Sequence, residues 1–141
     1  MKIKELQIAV ANALNGVERL VQGGCRAFAE DTRTVYDESN QFIAGGGVAL
    51  VVVTPDVSRS AENGEDGGIP IDGRLLVRCV ERCPLAGAAG NMRALDAAEA
   101  VAHELDQECI KFNSIRQTAD RAGRTFTATA EFDFSATLTK E

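Results

Sequence analysis

The sequence has no tryptophan, one tyrosine (Tyr36) and one histidine (His103) in 141 residues. So little aromatic surface leaves few rings for stacking bases or sugars. It also means that a core must be built mainly from Val, Leu, Ile and Ala. A basic excess is missing too: fifteen Lys and Arg face twenty-one Asp and Glu, a net charge of −6. Nucleic-acid binders neutralise phosphate with a basic stripe, and here the basic residues are scattered. No apolar run approaches the roughly 20 residues needed to span a bilayer. The opening Met1-Lys2-Ile3-Lys4-Glu5-Leu6-Gln7 enters a charged amphipathic pattern, not the unbroken apolar stretch of a signal peptide. A soluble chain with no membrane partner is expected, and Cys25, Cys79, Cys83 and Cys109 are read as free thiols in a reducing cytoplasm.

Hydrophobic residues make up 45% and charged residues 26%, the balance of a globular protein, and the length suits one domain over 1–141. Ile3, Leu6, Val10, Ala13, Leu14, Val17, Leu20 and Val21 recur at helical spacing, predicting a helix over 3–21 that Gly23-Gly24 stops. Short strands are expected near Cys25–Glu30 and Thr32–Tyr36. Val48 to Thr54 is apolar and rich in β-branched residues, the pattern of a strand buried on both faces, with Pro55 closing it. From Asp56 to Gly68 the chain turns polar, with Asp56, Glu62, Glu65 and Asp66 against Arg59 alone, predicting a mobile loop. Ile71 to Arg82 alternates, with Leu75, Val77 and Cys79 on one face and Asp72, Arg74, Arg78 and Arg82 on the other.

A linker, Pro84 to Gly90, leads to a helix over about 91–109 with the apolar stripe Met92, Leu95, Ala98, Ala102, Leu105 and Cys109. Its other face carries Asp96, Glu99, Glu104, Asp106 and Glu108, with no Lys or Arg between Arg93 and Lys111. A hairpin closes the chain: 110–118, a turn at 119–123, and the strongly alternating Thr125 to Leu138. The predicted fold class is α+β, an antiparallel or mixed β-sheet packed against two helices, with a long C-terminal β-hairpin. Fourteen extended residues span roughly 46 Å at about 3.3 Å each. A domain of this size is only about 40 Å across. The last strand is therefore expected to bend or to project and pair with a neighbouring subunit.

Chemistry is hard to place. His103 falls with the acidic residues, away from an apolar site, and no motif joins it to a cysteine nucleophile. Cys79 and Cys83 have a spacing that zinc tolerates, but no second pair completes four ligands, and Cys79 belongs to a core face. Cys79 and Cys109 are both expected to be buried, reduced and metal-free. Gly45-Gly46-Gly47 precedes its strand and lacks the Gly-Lys-Ser/Thr of a phosphate loop, so it marks a turn or a close backbone approach. No catalytic, cofactor-binding or metal-binding residue is assigned, and no cofactor is expected.

The order of elements resembles the tail-terminator (tail-completion) proteins of long-tailed bacteriophages. It rests on the opening helix Glu5 to Leu14, the apolar strand Val48 to Thr54, a polar loop, and the alternating strand Ile71 to Arg82. The helix Arg93 to Glu108 and the final hairpin complete it. The resemblance implies a non-enzymatic subunit of a homo-hexameric ring that caps the tail tube, stops its polymerisation and meets a head-completion protein. It implies a location in the virion tail or neck after assembly in the host cytoplasm. DNA would pass through the ring without specific binding, and an acidic lumen would repel the duplex. Other readings are another neck or minor tail protein, a ligand-binding or regulatory domain using the glycine-rich loops, and a small hydrolase using Cys109 or Cys83 with His103.

Overall fold

The computed structural model describes residues 2–29, 33–60 and 68–139. Helix α1 (Ile3–Asn15) buries Leu6, Val10 and Leu14 of the predicted stripe and also Ala11, while Ala13 is exposed. It does not run on to Val21. The chain breaks at Gly16 and resumes as a short helix α2 (Glu18–Gln22) with Leu20 buried. The break has a structural use. Asn15 accepts a hydrogen bond from the Ala27 N–H at 2.8 Å and donates to the Ala27 carbonyl at 3.0 Å. A side-chain amide thus stands where a further strand would pair with β1 (Cys25–Ala29). Gly24, at φ +81°, ends α2; a Cβ there would strike the Asn91 side chain.

Strand β1 is followed by helix α3 (Arg33–Ala44), which corrects the strand expected near Thr32–Tyr36. Val35, Phe42 and Ile43 share one face of it, but polar residues between them hide the helical period from the sequence. The Gly45–Gly47 turn then brings the chain back: Gly46 has φ +95°, and the Phe42 ring lies where a Gly47 side chain would be.

Strand β2 (Val48–Arg59) buries Val48, Ala49, Leu50, Val52 and Val53, as expected of a central strand. Pro55 does not close it. The register against β3 (Ile69–Arg82) shifts between Val53 and Asp56, and the strand continues through Asp56↔Arg74 to Arg59↔Ile71. Proline has no N–H to give a ladder and is tolerated at such an irregularity. Residues 56–59 are therefore strand, and the mobility expected of 56–68 otherwise falls on 61–67, outside the described residues.

The linker at Pro84 contains a one-turn helix α4 (Leu85–Ala88), and the acidic helix is α5 (Ala94–Leu105), shorter than predicted at both ends. Ala94, Ala97, Ala98, Val101 and Leu105 are buried; Cys109 lies beyond the helix and is exposed, contrary to expectation. Strands β4 (Ile110–Asp120) and β5 (Thr125–Leu138) form the terminal hairpin.

The sheet has the order β1-β2-β3-β5-β4, parallel only between β1 and β2. It is the mixed sheet of an α+β fold. Helices α1, α2 and α5 cover one face, where Leu50, Leu75, Val77, Cys79, Ala130 and Phe132 meet them. Helix α3 alone covers part of the other, against Phe28, Ala49 and Val80. Strand β5 is not an edge. It pairs with β3 along its whole length, Arg82↔Thr125 to Ile69↔Leu138, and with β4 from Asp120↔Thr125 to Ile110↔Phe134. Its length is matched by an equally long neighbour, β3, so the strand lies within the sheet, while beyond Phe134 it pairs with β3 alone. Gly73 makes that pairing close: a Cβ there would come within 2.6 Å of the Asp56 carbonyl oxygen and 2.8 Å of the Phe134 ring.

Candidate functional site

The residues weighed for catalysis are not brought together. His103 is exposed on α5, in a hollow with Glu99, Ala102, Asp106, Phe112 and Ile115, and it bonds to no cysteine among the described residues. Cys25 and Cys79 are buried; desolvation pushes the Cys25 thiol up to about 11 and the Cys79 thiol higher still. Both are therefore neutral thiols near pH 7, not thiolate nucleophiles. Cys83 is half-buried, its Sγ 3.8 Å from Glu81 Oε1 and 3.8 Å from Arg93 Nη2. No group of three or more His, Cys, Asp or Glu able to hold a metal occurs among the described residues.

Two carboxylates are buried among the described residues, Glu81 and Glu131, and Glu81 is the more enclosed. Glu81 sits on the helix-covered face of β3, in step with Leu75, Val77 and Cys79, and is 1% exposed. Arg93, just before α5, donates from Nε to both carboxylate oxygens at 2.9 and 2.8 Å, and from Nη2 to Oε1 at 2.7 Å. The carboxylate raises the Arg93 pKa through these hydrogen bonds and its charge. The pair clips α5 to β3. Its signal in the sequence is a charged residue at an apolar beat of the period-two strand.

The surface features lie on the two faces of the sheet. On the α3 side, Arg74 donates to Asp56 at 2.9 and 2.6 Å, holding the Asp56 carboxyl below its usual range mainly by hydrogen bonding. Glu131 stands between Arg74 at 3.8 Å and Arg116 at 3.7 Å and accepts from Ser114 at 2.8 Å. These contacts cross four strands and tie the polar part of the sheet together. Beside them, α3 and the sheet enclose a cavity of about 200 Å³ lined by Tyr36, Ile43, Ala49, Val51, Arg78 and Val80, among others. A second hollow of about 400 Å³ continues it past Tyr36 and Val80 to Arg82, Asp120 and Thr125. Tyr36 is 68% exposed at their junction. On the opposite side, the outer face of α5 carries Asp96, Glu99 and Glu104, all exposed, with Asp106 and Glu108 following.

The sequence matches no protein-family model and no curated protein. Among solved structures, it is similar in fold to a chain of the virion of a native gene transfer agent particle. The two align over 94% of each chain with a TM-score of 0.59 and 14% identity. Two structures from Akkermansia muciniphila, one solved without its transmembrane region, align at TM-scores of 0.35 and 0.33 with 10% and 11% identity. They cover 100% and 96% of this chain and 88% and 80% of theirs, a likeness too weak to carry an argument. The class defined here is an α+β fold on a five-stranded mixed sheet, and that fold is shared with a chain of a gene transfer agent virion. No helix among the described residues is long and apolar enough to cross a membrane.

Proposed function

We propose that the chain is a non-enzymatic structural subunit of a phage-like particle. Acting as one domain over 1–141, it forms a homo-oligomeric ring in the tail or neck that caps the tail tube, stops its polymerisation and joins it to the head. The observation that carries this reading is the end-to-end fold likeness to a gene transfer agent virion chain, 94% of both chains. The order of elements in the sequence, which resembles tail terminators, points the same way. So do the scattered thiols and lone histidine, which supply no nucleophile-base pair.

The test is to delete the gene in a particle-producing host and to examine purified particles. Wild-type particles are expected to contain the chain by mass spectrometry, and the deletion to give overlong tails or heads without tails. Particles that lack the chain, or that are normal without it, refute the proposal.

A further inference from the structure

Each face of the sheet carries a small exposed cluster of charge without a partner among the described residues, Arg78 and Arg82 on one side and the acids of α5 on the other. Arg78 and Arg82 extend from β3 on the α3 side and are exposed, with no ion pair or side-chain hydrogen bond among the described residues. Asp96, Glu99, Glu104 and Glu108 are likewise exposed and without a side-chain partner on the α5 side. Like charges at this density repel along a helix, so a basic surface laid against them relieves a real cost. Because a sheet separates the two patches, they cannot meet within one molecule.

We propose that they meet between copies. The hollow beside α3 in one subunit receives the α5–β4 side of a second, with Arg78 and Arg82 against Asp96, Glu99 and Asp106. The exposed edge of the Phe112 ring, which packs on Phe132 in its own subunit, lies over the apolar hollow beside Tyr36. This rests on the reading of the chain as a self-assembling subunit, and it names the surfaces used. The dimensions agree. Four residues along a strand separate Arg78 from Arg82 by about 13 Å. Ten residues at 1.5 Å rise put Asp96 and Asp106 about 15 Å apart along the helix axis. Phe112 is 40% exposed and borders the same hollow as Glu99 and Asp106, so ring and acids arrive together. A cavity of about 200 Å³ is the scale of one large side chain, and its walls of Ala49, Val51, Ile43 and Val80 suit an apolar one.

The sheet edges offer a poorer contact. Asn15 occupies the outer edge of β1. The β4 edge is interrupted by a register shift between Phe112 and Ser114 and carries Lys111, Arg116 and Asp120, the devices that blunt edge pairing. A contact between different patches is heterologous, and it propagates head to tail into a ring or a filament.

The test uses two charge reversals at exposed positions of the full chain, Arg78→Glu with Arg82→Glu, and Asp96→Arg with Glu99→Arg, followed by sedimentation at low ionic strength. Wild type is expected to associate and each reversal to weaken association by about tenfold or more. Mixing the two reversed proteins should restore association, since each patch of one variant then finds the opposite charge on the other while neither variant associates as well alone. Both reversals in one chain should restore association, which a merely damaged fold would not do. Unchanged association in the single reversals, or no recovery in the combined chain, overturns the interface. A monomeric wild type also overturns it, while virion membership is judged separately from purified particles. If the Arg78 and Arg82 reversal instead abolishes salt-sensitive binding of duplex DNA and leaves self-association intact, the arginines face a polyanion and the interface is wrong.

Discussion

Arg93→Met is the most informative single change, because it strands a carboxylate inside the fold. Glu81 is 1% exposed and its charge is met by three guanidinium contacts between 2.7 and 2.9 Å. Removing one partner of a fully buried pair costs about 3–5 kcal/mol, because the survivor is left desolvated and unpaired. The Arg93 side chain is 54% exposed, so solvent screens part of the attraction and admits water toward Glu81. A loss of about 2–3 kcal/mol is the expected result. Total stability for this length is about 7–20 kcal/mol, so the variant still folds. Urea unfolding should show the midpoint falling by about 1–2 M with an unchanged slope. Adding Glu81→Gln removes the stranded charge, and the double variant should be more stable than Arg93→Met alone. Arg93 makes no side-chain cap on α5, so a lost cap does not confuse the comparison. A loss below about 0.5 kcal/mol for Arg93→Met, or a double variant no better than the single one, would refute the reasoning.

Phe132 is wholly buried and meets the Phe112 ring edge-on at 5.8 Å, so Phe132→Ala should cost about 3–5 kcal/mol in the same assay; a cost under about 1 kcal/mol would mean the central sheet is packed otherwise. The thiols should label in order of exposure, Cys109 first, then Cys83, with Cys25 and Cys79 reacting only on unfolding, as followed by mass spectrometry. Because burial raises the folded pKa of Cys25 and Cys79 above the unfolded value near 8.5, their contribution is intact below that value. It is lost as pH climbs toward about 11, where Cys25 ionises in the fold. Stability should fall over that window in wild type and fall less in Cys25→Ala; equal slopes would contradict the burial.

What the sequence determined by itself is whatever a local period encodes. Thr125 to Leu138 alternates so regularly that its limits and buried face follow from the residues alone. Much of the buried face of α1 and the apolar run in β2 were equally legible, but not where either element ends. Helix α3 escaped because only Val35, Phe42 and Ile43 of its twelve residues are firmly apolar in pattern, enough to cover part of one sheet face but too sparse to announce a helix. The break at Asn15 and the continuation of β2 past Pro55 are tertiary decisions. The Asn15 amide is drawn to the backbone of Ala27, twelve residues on, and Arg74 of a neighbouring strand holds Asp56 in the ladder. Pairing Glu81 with Arg93 likewise needs the strand and the helix start to be side by side. Charge at Asp96 and Arg78 is visible in the sequence, but only the sheet, by lying between them, puts the two on opposite faces of one subunit.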